Sequence, residues 1–281
     1  MFIPADYRVR ANARRLGDAR GSMKILSCNA GYLLGYQNVL GGYVPPPVSS
    51  VLGNAEVERQ ALERLVSVIE RERPDVVSLL EVDRGSHRTA TDGQFRTLLE
   101  TLQERGLSYG GDVANKYGDG GIVSSLPFFG HLGNAVLSRS DRPTTRHYLS
   151  AGRKRLVLEV ELAADVVLFM VHLSLGARSR ARQLRELADL VTDRARGRDV
   201  VVTGDFNTFD ETGALGSFAD RTALELRVPG ETIPARPLDD LFVSSRSIDL
   251  FLCSPSISVE RCDVLDVQLS DHRPIVLEAG R

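Results

Sequence analysis

Carboxylates, amides and imidazoles recur in this sequence at one kind of place, the end of a short apolar run. Asn29 ends the run 24–28, and Glu81 follows the run 76–80 (Val-Val-Ser-Leu-Leu). His172 closes 166–171, and Asp205 and Asn207 follow 200–203 within Gly204-Asp205-Phe206-Asn207. Asp249 lies early in the run 248–253, and Asp271-His272 directly precede 274–277. Rigid elements aim the residues at their ends, so ligand and catalytic groups collect there in sheet proteins. Each residue alone has a plain structural reading: a solvated strand-end charge, a hydrogen-bonded half-buried histidine, a Gly-Asp turn. Together they meet three needs of phosphate-ester hydrolysis. Hard carboxylate oxygens hold Mg2+ or Mn2+. A carboxylate orients or deprotonates the attacking water. Amide and imidazole donors stabilise charge on phosphoryl oxygens.

The elements that must position these residues are legible from periodicity. Apolar residues at Leu62, Leu65, Val66 and Ile69 give one face of a helix over 55–73, stopped by Pro74. A second helix is expected near 94–105. A third, over 177–196, carries Leu184, Leu187, Ala188 and Val191 on one face. Strands are expected at 24–28, 75–80, 135–137, 156–162, 166–171, 200–203, 248–253, 257–265 and 273–278. The turn at 163–165 suggests a hairpin. Helices alternate with strands early and strands dominate late, which reads as one α/β domain. Residues 33–54 form a long Gly/Pro/Tyr-rich stretch with scattered apolar residues, of a length that is usually functional or disordered.

Composition bounds the possibilities. The 281 residues carry 42% hydrophobic and 26% charged residues with a net charge of -2. That balance leaves no whole-molecule footprint for nucleic acid, although a local basic cleft remains compatible with it. Lysine is scarce: Lys24, Lys116 and Lys154 stand among 35 basic residues. The three cysteines, Cys28, Cys253 and Cys262, match no zinc spacing, and no secretory segment precedes them. A reducing, cytoplasmic location is expected. No apolar run is long enough to span a bilayer. Residues 1–22 are Arg-rich without an apolar core and make a poor signal peptide. They are expected to be a disordered tail ahead of a single domain over 23–281, and Met23 could be the natural start.

The set Asn29, Leu80-Glu81, Val171-His172-Leu173, Gly204-Asp205-Phe206-Asn207, Ile248-Asp249 and Ser270-Asp271-His272 resembles the endonuclease/exonuclease/phosphatase superfamily. Order and approximate spacing match over about 24–278. Gly133-Asn134-Ala135-Val136-Leu137-Ser138-Arg139 also looks like that family's Gly-x-Ala-x-x-Ser-Arg strand. The resemblance implies a deoxyribonuclease I-like fold: a four-layer α/β (α+β) sandwich of two mixed β-sheets flanked by helices.

The resemblance also implies roles. Glu81 looks like the main ligand of Mg2+ (or Mn2+), supported by Asn29 and Asp271. Asp205 looks like the residue that positions or activates the nucleophilic water, with Asn207 contacting the scissile phosphate. His272 would donate to a phosphoryl oxygen, with Asp249 orienting its ring and keeping it cationic. His172 would be a second phosphate donor or assist the leaving group. Asn134, and Arg178 and Arg182 four residues apart on one helix face, are candidate substrate contacts. One departure stands out: some nucleases of the family carry a second acidic ligand where this chain has Gly31. That argues mildly against the apurinic-endonuclease branch.

Three functions follow as expectations. The first is a phosphodiesterase or phosphatase for a small or lipid-like substrate, with 33–54 as an apolar wall. The second is a DNA or RNA nuclease. The third is a non-catalytic binding module on the same fold.

Overall fold

The computed structural model describes residues 8–9, 22–34, 55–85, 93–118, 130–208, 212–233 and 246–280. Residues 35–54, the bulk of the stretch expected to wall the site, lie outside the described residues, as does most of 1–22. Within 1–22, β1 (Arg8–Val9) pairs antiparallel with β4 (Gly110–Asn115) and joins the sheet.

Two mixed sheets form the body. The first runs β1-β4-β5-β3-β2-β13-β12, with β2 Met23–Asn29, β3 Val76–Asp83, β5 Leu132–Ser138, β12 Ser258–Val264 and β13 Ile275–Gly280. The second runs β10-β11-β9-β8-β7-β6, with β6 Thr144–Tyr148, β7 Leu156–Ala163, β8 Val166–His172, β9 Asp199–Asp205, β10 Glu225–Arg227 and β11 Asp249–Cys253. Successive strand residues point to opposite faces. Ile25 therefore joins a core between the sheets with Leu80, Leu158, Leu168, Phe251 and Leu277. Its neighbour Leu26 packs the other way, with Leu65, Ile69 and Leu98 of helices α1 (Ala55–Glu72) and α2 (Gly93–Glu104). On the second sheet Leu168 faces inward. Phe169 faces Leu187, Val191 and Phe218 of α3 (Ala177–Ala195) and α4 (Thr212–Thr222). The result is the expected helix–sheet–sheet–helix stack, a deoxyribonuclease I-like sandwich.

One topological feature builds the site. Each sheet contains one parallel pair, β2/β3 joined through α1 and β8/β9 joined through α3. Parallel strands end on the same side, and their helical crossovers return the chain to begin again. Asn29 thus pairs in register with Leu80, next to Glu81, and His172 pairs with Asp205. The antiparallel neighbour β11 starts where β9 ends, so Asp249 pairs with Asp205.

The structure adjusts several boundaries. Helix α1 ends at Glu72 because Arg73, just before Pro74, turns to φ +50°. Strand β3 does not stop at Glu81. It continues to Asp83 through a register shift between Leu79 and Val82, with Glu81 at φ +55°. The last strand lies at Ile275–Gly280, two residues later than expected at each end. Strands β4, β6 and β10 and helix α4 were not anticipated. Their sequences (GGDVAN, TTRHY, ELR, TGALGSFADRT) carry too much Gly or polarity to show a clean period.

Candidate active site

The irregularity in β3 is what turns Glu81 out of the sheet. A bulge re-aims one side chain. Here the freed Glu81 N–H donates to Asn134 Oδ1 on β5 at 3.2 Å. Asn134, a candidate substrate contact, is buried and serves as the anchor of this bulge. The Glu81 carboxylate then meets two lysines. Lys116 Nζ donates to Oε1 at 2.9 Å and Lys154 Nζ lies 3.9 Å from the same atom. Burial alone would raise the Glu81 pKa, but Lys116 and Lys154 outweigh it and pull it to about 2.

Asp205 is the centre of the polar cluster. Its Oδ2 accepts from Asn29 Nδ2 at 3.3 Å and lies 3.2 Å from His172 Nε2. Its Oδ1 accepts from the Asn207 N–H at 2.9 Å. That last bond forms because Asn207 takes φ +50°, while its Nδ2 donates to the Leu173 carbonyl at 2.8 Å. Gly204 permits the approach. It sits at φ +133°, and a Cβ there would strike the Val171 carbonyl oxygen on β8. Burial opposes the Asp205 charge, yet His172, His272 and Lys154 hold its pKa well below the usual carboxylate range.

The second half is a pair. His272 Nδ1 lies 2.6 Å from Asp249 Oδ2. The His272 N–H donates to Ser270 Oγ at 3.0 Å, and that hydroxyl donates to the Asn29 carbonyl at 2.6 Å. Ser270 therefore ties the Ser-Asp-His segment to the end of β2. Burial works against a charged His272, but Asp249, with Asp205 and Asp271 behind it, raises its pKa to about 10. His272 is thus an imidazolium whose Nε2–H faces away from Asp249.

The donor set around Glu81 suits a hard divalent cation. Glu81 is ionised, and Asp271 is half-buried directly before His272. Asn29 Oδ1 accepts from the Gly31 N–H at 3.1 Å and keeps a second lone pair. A second group, Asp205, Asp249 and His272, brings ligand-type atoms within 4.8 Å of one another. It suits a cation less well, because an imidazolium held by Asp249 has no lone pair to give.

The structure therefore brings together Asn29, Glu81, His172, Asp205, Asn207, Asp249 and His272, with Asp271 beside them. Arg178 and Arg182 are exposed on the first turns of α3, and neither contacts a site residue among the described residues. Arg180, between them, is buried and donates to the carbonyls of Ser174 and Leu175. Sequence reasoning missed Lys116, and it weighed Lys154 only as part of the basic run Arg153-Lys154-Arg155, as either a substrate-phosphate contact or a solvated charge. The usable signal was rarity: two of the chain's three lysines converge on one carboxylate.

Comparison with known proteins agrees with this architecture. The model of the endonuclease/exonuclease/phosphatase family matches residues 35–272, most of the chain, and the protein belongs to that family. An endonuclease/exonuclease/phosphatase family protein from Leptotrichia buccalis is 16% identical, with a TM-score of 0.65 over 91% of this chain and 98% of its own. An endonuclease/exonuclease/phosphatase from Beutenbergia cavernae is 21% identical, with a TM-score of 0.63 over 92% of this chain and 71% of its own. TDP2 from D. rerio, solved with a single-strand DNA product, is 15% identical, with a TM-score of 0.61 over 92% and 99%. A comparison with curated proteins gave no match. No helix among the described residues is long and apolar enough to cross a membrane.

Proposed function

We propose that the protein is a phosphodiesterase or phosphatase that hydrolyses its substrate with the help of Mg2+ or Mn2+. The observation that carries this reading is the shell around Asp205: an ionised, buried carboxylate held by Asn29 and the Asn207 N–H, with His172 alongside and an imidazolium next to it. Asp205 orients the attacking water, and Asn29 and Asn207 keep its carboxylate from rotating. His272 donates its free N–H to a non-bridging phosphoryl oxygen, and Asp249 keeps that donor charged as negative charge builds. His172 is held neutral and sits between Asp205 and the lysines. Glu81 and Asp271, with Asn29 alongside, would hold a divalent cation, which would supply Lewis-acid charge toward the phosphoryl oxygens.

The test is a screen with Mg2+ or Mn2+ across bis-p-nitrophenyl phosphate, DNA, inositol phosphates and sphingomyelin, with Asp205→Ala run in parallel. The expected result is turnover of at least one substrate, reduced about 10²–10⁴-fold in the variant. Equal turnover by the two proteins would mean that Asp205 is not part of the chemistry.

A further inference from the structure

We infer that Lys154 is a phosphoryl-binding residue of this site, resting on His172 Nε2 until a substrate anion draws its ammonium away. The inference rests on the phosphate-ester reading above. Its starting point is a conflict at one atom. His172 Nε2 is in contact with Lys154 Nζ and also lies 3.2 Å from Asp205 Oδ2. A ring nitrogen makes one in-plane hydrogen bond: with a proton it donates to Asp205, and without one it accepts from Lys154. It cannot do both. The far end of the ring settles nothing, because His172 Nδ1 is buried without a hydrogen-bond partner among the described residues. The resting arrangement therefore leaves one of two strong partners of Nε2 unsatisfied.

Lys154 is the partner free to leave. Glu81 does not need it, since Lys116 already donates to Oε1 at 2.9 Å against 3.9 Å for Lys154. The Lys154 side chain keeps 18% of its exposure, whereas that of Lys116 keeps 4%. A dissolved anion reaches the former first. An ionised phosphoryl oxygen is also a stronger acceptor for an ammonium than a neutral imidazole nitrogen.

Only the side chain has to move. The Lys154 carbonyl accepts from Gln183 Nε2 on α3, which also donates to the Ala151 carbonyl at 3.0 Å. Gln183 Oε1 accepts from the Ser174 N–H at 2.8 Å, so the segment 151–154 is fastened to the chain just after His172. The Arg155 N–H donates to the Lys116 carbonyl at 2.8 Å. A four-carbon stem on a fixed backbone, ending in a compact charge, is suited to such a swing. When it swings, Nε2 loses its donor and the neutral ring changes tautomer through water, Nδ1–H giving up its proton as Nε2 takes one up. Nε2–H then donates to Asp205, and the ring of donors around the water-orienting carboxylate closes.

Inorganic phosphate serves as the probe, with Mg2+ present and the full chain throughout. Phosphate affinity is measured by calorimetry in the wild type, Lys154→Met and Lys154→Gln. Nitrogen NMR of the imidazole rings reports whether His172 Nε2 carries the proton. In the wild type, phosphate is expected to convert Nε2 from acceptor to donor. Both variants are expected to show the donor form without phosphate and to bind phosphate at least about ten-fold more weakly. Two variants and a melting curve for each separate loss of binding from loss of fold. Wild-type phosphate affinity in a folded variant overturns the inference, as does a His172 signal that ignores phosphate. A wild type that turns over phosphoesters while the variants bind phosphate normally sinks only this inference. A wild type that neither binds phosphate nor cleaves any phosphoester sinks the functional reading with it.

Discussion

His172 and His272 are both buried and both face an aspartate of the same cluster, yet one is neutral and the other cationic. His272 is raised to about 10, while His172 is lowered to about 4. Burial pushes both downward, so burial does not explain the difference. The neighbours do. His272 Nδ1 has Asp249 at 2.6 Å, with Asp205 and Asp271 also near. His172 has Asp205 at 3.2 Å, but the Lys154 ammonium against the same nitrogen opposes that attraction, and burial carries the balance downward. One histidine is thereby a standing cationic donor and the other a neutral relay. A charged donor and a neutral group beside the water-orienting carboxylate are different tools.

Removing the charge behind His272 is the severest test of this contrast. Asp249→Asn keeps the shape and leaves His272 with burial and no adjacent counter-charge. The expected loss in kcat is about 10²–10³-fold at pH 8. The alkaline limb of kcat/KM should also move from about 10 toward neutrality. An unmoved limb would show that Asp249 does not set the His272 charge. Stability follows the same group. With its pKa raised on folding, His272 stabilises fully below its unfolded value of about 6.5, and that contribution fades as pH rises through about 10. Melting curves of the wild type should therefore fall in that alkaline range, and those of Asp249→Asn should not show the same loss.

The His172 side has the opposite sign. Its pKa is lowered on folding, so between about 6.5 and about 4 the unfolded chain binds a proton that the folded chain refuses. Stability should decline as pH falls through that window, by roughly 2–3 kcal/mol. His172→Gln should flatten this slope while reducing kcat less than Asp249→Asn does, by about 10-fold. Chemical denaturation at a series of pH values checks it. A slope as steep in the variant as in the wild type would place the acid sensitivity elsewhere.

The strand-end carboxylates and histidines were legible in the sequence because parallel crossovers make a simple rule: apolar run, then functional residue. Asn29, His172 and Asp205 each obey it. Glu81 obeys it only in part. Its aim depends on a bulge anchored by Asn134, 53 residues away, and no local pattern encodes that. The charge contrast was half legible. Asp249 behind His272 follows from the family resemblance, but Lys154 belongs to the run Arg153-Lys154-Arg155, which reads either as a phosphate contact or as a solvated basic turn. Its place beside His172 depends on Gln183 and Gly152, through contacts that span tens of residues. Loop-to-helix hydrogen bonds of that kind leave no periodicity behind.

Gly152 gives a milder handle on the same contrast. It sits at φ +78°, and a Cβ there would strike Ser174 Oγ and lie 2.8 Å from Gln183 Nε2. Gly152→Ala should cost about 1–3 kcal/mol in denaturant unfolding. It should also shift the His172 pKa upward, because Lys154 loses its fixed backbone. Unchanged stability and an unchanged His172 titration would detach this turn from the site.

The smallest effect is expected at Arg178 and Arg182. Both are exposed on α3, whose first turns follow the His172 segment, so they are cations within reach of the same electrostatic argument as Lys154. Distance and solvent separate the cases. An ammonium in contact with a buried ring acts through a poorly screened gap, whereas exposed guanidinium groups act through water and salt. The double substitution Arg178→Ala, Arg182→Ala should leave the His172 pKa unmoved and change stability by no more than about 0.5 kcal/mol. Its signature, if these residues guide substrate, lies in KM alone: a rise at low salt that disappears at high salt, with kcat constant. A change in kcat, or in the His172 titration, would mean that the neutral histidine depends on a wider field than its contact with Lys154.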